Sequence, residues 1–275
     1  MNRREAKIGG IDAVWLEAGD PSGAEGAGAT PILYVHGVPN SGRMWRPFLE
    51  RTGGIAPDLP GFGESGKPAG FDYSISGYGD WLEAFVDELG LERFALAMHD
   101  WGAVGLELAQ RRPEAIERMV LIDLVPFLPG YRWHRTARIW RTPVAGELFM
   151  GSSTRWATKR WLRMEKALLP EHVDGFVDEA WEHFDHGTQR AILKLYRSAP
   201  PDVLERAGDR LGGIEAPSLI LWGEDDHFLP NRFAHAYAEA LGGETRVEIV
   251  PGGVHWLWLE RPHTLDTVVD FLAAD

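Results

Sequence analysis

The sequence predicts an α/β fold, with a mostly parallel, doubly wound sheet and a helical lid inserted after the sixth strand. Short apolar runs alternate with helical patterns up to residue 124, and this alternation resumes at residue 217. The stretch between carries helical patterns alone. Such alternation is typical of a parallel sheet covered by helices. We therefore expect a core domain over residues 1–124 and 209–275 and a helical lid domain over residues 125–208.

The first half of the chain supplies most of the predicted strands. Residues 6–17 predict one or two edge strands, broken at Gly9 and Gly10. The segment from Asp20 to Thr30 is rich in Gly, Ala and Pro and predicts a surface loop. The elements predicted after that loop are strands over 31–35, 54–58, 93–98 and 116–124, and helices over 44–50, 76–89 and 103–112.

The second half begins with the helical insertion and then returns to alternation. The helical patterns of the insertion cover residues 133–140, 153–168 and 173–196. The elements predicted after it are strands over 217–222 and 246–250 and helices over 231–241 and 265–274. Open α/β sheets bind ligands beyond the carboxyl ends of their strands. We therefore expect the insertion to cover those ends.

One strand passes into a helix with no linker, so the chain must turn sharply at His99, Asp100 and Trp101. Small residues follow at Gly102 and Ala103, which allows the helix to start close to the strand. This pattern is typical of a nucleophile elbow, where a reactive side chain stands at a strained turn beside free helical N–H groups. Asp100 could alternatively serve only as a helix N-cap.

The identity of the residue at the elbow indicates the chemistry. A carboxylate is a poor acyl acceptor, but it can attack an alkyl carbon that bears a leaving group and form an ester with it. Asp100 at the elbow therefore favours epoxides or alkyl halides over esters as substrates. The loop after residue 222 offers acidic side chains, and His255 follows the last strand. The order nucleophile, acid, His is that of the triads built on this type of elbow.

At this point the chain resembles α/β-hydrolases of the epoxide hydrolase and haloalkane dehalogenase branch. The resemblance covers nearly the whole chain and is looser in the lid. It rests on five motifs in order, namely His36-Gly37-Val38-Pro39, Asp58-Leu59-Pro60-Gly61-Phe62-Gly63-Glu64-Ser65, His99-Asp100-Trp101-Gly102, Trp222-Gly223 followed by a carboxylate, and His255.

The resemblance implies a catalytic triad. Asp100 would be the nucleophile, His255 the base that activates water, and Asp226 the acid that orients His255. Asp225 is the neighbouring alternative for the acid. Some dehalogenases take the acid from the end of the strand after the elbow, where this chain has Asp123.

The resemblance also implies the groups around the nucleophile. The backbone N–H groups of Val38 and Trp101 would form an oxyanion hole. His36 would shape the loop that carries Val38, and it is also a candidate for contact with the substrate or leaving group.

The leaving group separates the two activities of this branch. An opening epoxide needs an O–H donor, and Tyr196 resembles a lid Tyr of epoxide hydrolases, with Tyr131 as the other lid Tyr. Val38 stands where many dehalogenases carry a halide-binding Asn, which favours the epoxide. Met98 replaces a Gly usual in epoxide hydrolases, which favours the halide. We expect epoxide hydrolysis to a vicinal diol, with haloalkane dehalogenation as the alternative.

A halide needs N–H donors, for which an indole is suited. Trp101 is compatible with either leaving group and is a candidate for binding it. The lid Trp residues that could add a second donor are Trp133, Trp140, Trp156, Trp161 and Trp181. A minor alternative of another class is a non-catalytic receptor for small molecules on the same fold.

Composition limits the remaining classes of function. The net charge of −13 argues against non-specific nucleic-acid binding, and the chain has no Cys for a thiolate metal site. His183 and His186 could share a helix face, but two ligands do not make a zinc site. No Gly-rich dinucleotide motif, signal peptide or membrane-length apolar run is evident. We expect a cytoplasmic monomer or homodimer without cofactor or metal, acting with water on a small apolar substrate and binding neither nucleic acid nor membrane.

Overall fold

The computed structural model describes residues 1–19 and 30–274, so the loop predicted over 20–30 lies almost wholly outside it. Within these residues the chain forms one sheet, and its strands are β1 Asn2–Ile8, β2 Ile11–Ala18, β3 Ile32–Val35, β4 Gly54–Pro57, β5 Phe94–Asp100, β6 Ile116–Leu124, β7 Ser218–Gly223 and β8 Thr245–Val250. The helices are α1 Arg46–Thr52, α2 Ile75–Glu88, α3 Gly105–Arg111, α4 Arg135–Arg141, α5 Ala145–Ser152, α6 Arg155–Glu165, α7 Pro170–Trp181, α8 His186–Ser198, α9 Pro201–Ala207, α10 Arg232–Ala240, α11 Leu257–Glu260 and α12 His263–Ala273.

The strands are ordered β1-β2-β4-β3-β5-β6-β7-β8 across the sheet. The pairs β1–β2 and β2–β4 are antiparallel, and the remaining neighbours are parallel. The prediction of a mostly parallel sheet is therefore confirmed. Since parallel strands point the same way, the carboxyl ends of β3, β5, β6, β7 and β8 meet along one edge.

The central strand β5 shows why the sheet is covered on both faces. Phe94, Leu96 and Met98 belong to the apolar cluster on one face, and Ala95 and Ala97 belong to the cluster on the other. All five are fully buried. Successive side chains of a strand point to opposite faces, so a strand buried on both faces has no polar position. This is why β5 is a continuous apolar run from Phe94 to Met98.

The lid helices α4 to α9 lie between β6 and β7, as expected for an insertion after the sixth strand. The helix predicted over 173–196 is two helices, because Asp185 accepts a hydrogen bond from Thr188 N and caps the start of α8. The helices α5 and α9 were not predicted. The domain boundaries at residues 124 and 209 stay a prediction. Among the described helices, none is both long and apolar enough to span a bilayer.

Ion pairs join the lid to the core. Arg43, in the turn before α1, contacts Glu182 of the lid at 2.6 Å and Glu64 of the core at 2.9 Å. Lys67 contacts Asp185 at the start of α8 at 2.8 Å. These side chains are partly exposed, so each pair contributes at most about 1 kcal/mol. Together they hold α7 and α8 above the edge where the strands end.

Candidate active site

Asp100 ends β5 at a strained turn. Its backbone φ of 53° lies in the left-handed region, which is uncommon for a residue other than Gly. The chain can turn here because Gly102 has no side chain: a Cβ on it would lie 2.2 Å from Val35 O. A Cβ on Gly37 would likewise lie 2.4 Å from Cβ of Asp100. The structure therefore has the elbow that the sequence predicts, with Asp100 at its tip.

The carboxylate of Asp100 is buried, with Oδ1 accepting a hydrogen bond from Val38 N at 2.8 Å. Its other oxygen, Oδ2, lies 3.6 Å from His255 Nε2. Burial acts to raise the pKa of Asp100, but His255 and the Val38 N–H outweigh it and hold that pKa below its ordinary value. Asp100 is therefore ionised near neutral pH, as a nucleophile must be.

His255 lies between two carboxylates. Its Nδ1 donates a hydrogen bond to Asp226 Oδ2 at 2.8 Å, while Nε2 faces Asp100. Burial acts to lower the pKa of His255, but the two carboxylates raise it well above its ordinary value. His99 packs against the ring at 4.7 Å between centroids and donates from Nε2 to His255 O at 2.9 Å.

The loop after β7 brings Asp226 to His255 and leaves Asp225 exposed on the surface. Asp226 Oδ1 accepts from Phe228 N at 2.7 Å and from Leu229 N at 3.0 Å, which orients the carboxylate. Of the two neighbouring acids in this loop, the geometry therefore places Asp226 alone beside the His. Asp123 is also fully buried close by, at the end of β6.

The structure does not place His36 against a substrate. Its Nδ1 donates to Gly37 O at 2.8 Å and its Nε2 accepts from Leu59 N at 2.9 Å, so both ring nitrogens are used. Burial lowers the pKa of His36 to about 4, which keeps the ring neutral. His36 is outside the residues that line the cavity. It joins two loops of the core, in agreement with the expectation that it shapes the Val38 loop.

A cavity of about 240 Å³ lies between Asp100 and the lid. The core contributes Val38, Pro39, Asp100, Phe228, Leu229, His255 and Trp256 to its lining. The lid contributes a larger and mostly apolar set, comprising Trp133, His134, Trp140, Phe149, Met150, Ser152, Ser153, Ala157, Thr158, Trp161, Leu162, Phe176, Val177, Ala180, Trp181, Phe184, Ile192 and Tyr196. An apolar pocket with a few convergent polar groups is the usual form of a site for a small organic ligand.

Tyr196 of α8 lines this cavity, as expected for a donor to the leaving group. Its ring packs against Trp101 at 5.2 Å and Trp133 at 4.9 Å. Burial and the charge of Asp100 raise the pKa of Tyr196 well above its ordinary value. The hydroxyl therefore stays protonated and is available as a hydrogen-bond donor.

Two other expected contacts, Tyr131 and Trp101, are outside the lining. The hydroxyl of Tyr131 donates instead to Phe228 O at 3.4 Å, and its ring packs against Phe233. Tyr131 is therefore not placed to contact a substrate, because its donor points to the backbone of the core. The Trp101 ring stacks on Trp133 at 5.4 Å, and Nε1 makes no hydrogen bond of ordinary geometry within the described residues.

His134 lines the cavity and was missed by the sequence analysis. It is the N-cap of α4, where Nδ1 accepts from Ala137 N at 3.4 Å. Burial lowers the pKa of His134 to about 4, so the ring is neutral and its one proton is on Nε2. Nothing in the local sequence pattern distinguishes a His that faces a cavity from one that only caps a helix.

The lid Trp residues have different environments. Trp133, Trp140, Trp161 and Trp181 line the cavity, whereas Trp156 is 73% exposed at the surface. Trp133 Nε1 already donates to Ala199 O at 2.8 Å. The buried Nε1 of Trp140 has no partner within the described part of the chain. Among the described residues of the lid, Trp140 is therefore a lining indole with a buried and unused N–H, and Trp256 of the core is another.

His183 and His186 do not share a helix face. His183 lies in the turn before α8, and His186 is the first residue of that helix. Asp185, between them, caps the helix and forces the break. Across residues 1–19 and 30–274, no group of three or more His, Asp or Glu side chains is arranged to hold a metal ion.

Comparisons with known proteins identify the family of this chain. The family model described as alpha/beta hydrolase fold matches residues 30–262. A haloalkane dehalogenase of Mesorhizobium japonicum is 34% identical over 84% of this chain and 80% of its own length. Epoxide hydrolase 2 of Caenorhabditis elegans is 27% identical over 87% of this chain and 72% of its own.

Among solved structures, a putative ancestral haloalkane dehalogenase superposes with a TM-score of 0.82 at 24% identity, covering 98% of both chains. That likeness shows the fold. The family match and the two relatives show more: the chain belongs to the α/β-hydrolase fold family, in the branch of hydrolytic enzymes that contains the haloalkane dehalogenases and epoxide hydrolases.

Proposed function

We propose that this enzyme hydrolyses epoxides to vicinal diols through an ester of Asp100. The observation that carries the proposal is the cavity that the Asp100 carboxylate lines together with two donors from the lid, the buried Tyr196 and the partly buried His134. A nucleophile on one side of a substrate and O–H and N–H donors on the other suit a three-membered ether, whose oxygen stays attached to the product.

In the first step Asp100 Oδ2 attacks a ring carbon of the epoxide and the C–O bond on that carbon breaks. The oxygen that takes the electron pair receives a proton from Tyr196 and a hydrogen bond from His134 Nε2. Oδ1 remains the carbonyl oxygen of the ester and keeps its hydrogen bond from Val38 N. The product of this step is a hydroxyalkyl ester of Asp100.

The second step uses His255. Esterification removes the charge of Asp100, one of the two charges that raise the pKa of His255, so the imidazole gives its proton to solvent and can act as a base. It takes a proton back from solvent when Asp100 is ionised again at the end of the cycle. Water adds to the ester carbonyl and gives its proton to Nε2. The charge that develops on Oδ1 is held by Val38 N and by the adjacent Trp101 N–H. Collapse of this intermediate releases the diol with the proton from His255, and the proton left on Asp100 restores Tyr196.

The lid donors favour the epoxide over the halide. A departing halide needs no proton, so the proton that Tyr196 keeps through its raised pKa would have no role in that departure. Val38 supplies only its backbone N–H, because its side chain has no polar atom. The proposal therefore assigns Tyr196 and His134 to the oxygen of an opening ring.

A second candidate, haloalkane dehalogenation, is favoured by a different observation. The indole N–H groups of Trp101, Trp140 and Trp256 are buried and have no hydrogen-bond partner of ordinary geometry in the described structure. Indole N–H groups can hold a halide ion, and an unpaired buried donor is costly without a ligand. Trp140 lines the cavity, while Trp101 packs behind Trp133 and Tyr196.

One purified sample tests both candidates. It is incubated with styrene oxide and aliphatic epoxides, scored for diol, and with bromoalkanes and iodoalkanes, scored for halide ion. Diol formation without halide release is the expected result, whereas halide release alone would replace the proposal by the second candidate. Asp100→Asn is the control, because it preserves the shape of the side chain and removes the nucleophile. Loss of turnover in Asp100→Asn would also exclude the alternative of a non-catalytic receptor.

A further inference from the structure

A second carboxyl group lies beside the proposed acid of the triad. Asp123 is fully buried at the carboxyl end of β6, with a backbone φ of 37°. Its Oδ1 accepts a hydrogen bond from Gly223 N at 2.8 Å. Its Oδ2 is buried and receives no hydrogen bond from any described residue. An ionised carboxylate with one oxygen buried and unpaired would be strongly destabilising.

Asp226 has the opposite environment, although the two carboxyls lie within hydrogen-bonding reach of each other. Three N–H groups donate to Asp226: those of Phe228 and Leu229 to Oδ1 and His255 Nδ1 to Oδ2. Two buried carboxylates in contact cannot both be ionised without a large cost, so one of them holds a proton. The three donors stabilise the negative charge on Asp226, which leaves the proton for Asp123.

We propose that Asp123 is an un-ionised carboxylic acid that donates a hydrogen bond from Oδ2 to the Asp226 carboxylate, and is thereby a positioning residue for the Asp226–His255 pair. This arrangement gives the orphaned Oδ2 a partner, because the atom becomes a donor. Asp226 has about four lone-pair sites, and the O–H of Asp123 takes the one that the three N–H donors leave.

The surrounding charges agree with this assignment. Burial first, and then the negative charge of Asp226, raise the pKa of Asp123 well above its ordinary value, while His255 opposes that shift. The titratable groups that face the pair are His255 after β8, His99 and Asp100 on β5, and Tyr131 and His134 of the lid. His99 is neutral because burial lowers its pKa to about 3, so it supplies no charge to balance a second carboxylate.

The consequence concerns the base. The additional hydrogen bond from Asp123 delocalises the negative charge of Asp226. It also fixes the orientation of the Asp226 carboxylate that accepts from His255 Nδ1. We therefore expect the pKa of His255 to be lower with the hydrogen bond from Asp123 than without it. The lower pKa makes the imidazole easier to deprotonate for the hydrolysis of the ester. This consequence rests on the proposed function, whereas the protonation of Asp123 does not.

The first test needs no substrate. An infrared difference spectrum of the wild-type protein minus Asp123→Asn, recorded near pH 8, is expected to contain the C=O stretch of an un-ionised carboxylic acid. The same band should persist in the wild-type protein when the pH is varied around neutrality. A difference spectrum with only carboxylate bands would overturn the proposal, whatever the enzyme hydrolyses. Should the enzyme turn over neither substrate panel while the band is present, the proposed function fails and the protonation stands.

The second test is the pH profile of turnover. Asn at position 123 keeps the acceptor for Gly223 N and replaces the O–H donor by an N–H donor. Asp123→Ala is expected to lower kcat by on the order of 10-fold and to move its acidic limb to higher pH, and Asp123→Asn to restore both. If Asp123 is ionised instead, Asp123→Asn removes a negative charge and moves the limb to lower pH. A shift of the limb to lower pH in Asp123→Asn would contradict the positioning role. An equal loss of kcat in Asp123→Ala and Asp123→Asn would also contradict it. Because Asn is nearly isosteric with Asp, we expect the circular dichroism spectrum of Asp123→Asn to match that of the folded wild-type protein.

Discussion

Asp100 Oδ1 accepts a hydrogen bond from Val38 N at 2.8 Å. The donor is therefore already directed at the oxygen on which negative charge would develop during hydrolysis of an ester. Preorganised donors of this kind stabilise a transition state without reorganisation at the moment of reaction. The other oxygen, Oδ2, makes no hydrogen bond that short and faces His255 Nε2 at 3.6 Å. The two oxygens of one side chain thus have separate roles, one held and one free to attack.

Replacing His255 by Gln should separate the two steps of the reaction. The attack by Asp100 needs only its own ionised carboxylate, whereas hydrolysis of the ester needs a base. We expect His255→Gln to accumulate an adduct with the mass of the bound substrate on a peptide that contains Asp100, with turnover lost. Mass spectrometry of the intact and digested protein measures this. Asp100→Asn under the same conditions should form no adduct, and an adduct on any other residue would contradict the assignment of the nucleophile.

Replacing Tyr196 by Phe removes the proposed proton donor and changes little else. We expect kcat for epoxides to fall by about 10²-fold, in the range that one general acid contributes. Tyr131→Phe is the matched control, because Tyr131 is also a buried lid Tyr but donates to Phe228 O and lies outside the cavity lining. Steady-state rates of diol formation compare the two variants. Equal losses in both would argue against a specific role for Tyr196.

His134 should act as a hydrogen-bond donor through Nε2. His134→Gln retains an N–H near that position, while His134→Phe keeps a ring of similar size without any donor. We expect the Phe variant to lose on the order of 10-fold in kcat and the Gln variant to retain most of it, since one hydrogen bond is worth about 1.4 kcal/mol here. Rates with the same epoxide decide the matter. A Phe variant as active as the wild type would remove His134 from the mechanism.

Acid should destabilise the protein through His36. The pKa of His36 is lowered by burial to about 4 in the folded chain, against an ordinary value of 6.5 for a His side chain. The unfolded chain therefore binds the proton first as the pH falls, and stability is lost between about pH 6.5 and pH 4. A shift of this size corresponds to roughly 3 kcal/mol in the free energy of unfolding.

Urea unfolding near pH 7 and near pH 4 measures this loss. His36→Gln should be less stable near neutrality, because it cannot keep both hydrogen bonds of the ring, but its stability should depend less on pH. Exposed His263 supplies the control, and His263→Gln should leave the pH dependence unchanged. A wild-type stability that does not fall with acid would mean that His36 is not held neutral.

Much of the core could be predicted from local patterns. The run from Phe94 to Met98 predicts a strand buried on both faces, and the small residue at Gly102 predicts a tight passage into the helix. The chain order of Asp100, the acidic loop and His255 predicts three groups at one edge of the sheet, because parallel strands end together. These signals are short in range or follow from topology, so the sequence carries them.

The lid was harder to predict. Helix α7 ends at Trp181 and Asp185 caps the start of α8, and the sequence pattern over 173–196 hides this because apolar spacing continues across the break. Helices α5 and α9 are only eight and seven residues long and are held by their neighbours. Helices this short are marginal on their own, so tertiary packing decides whether they form.

The sequence by itself determined the parallel sheet, the elbow with Asp100 at its tip, and the order of the groups that follow. The tertiary structure decided which polar side chains reach the cavity. It brought in His134, directed Tyr131 to the backbone of the core, and used both nitrogens of His36 between two loops. The physical reason is that the periodicity of a strand or helix depends on residues that are close together in the sequence. The direction of a buried hydroxyl or imidazole depends on partners that lie distant in the chain and meet it only after folding.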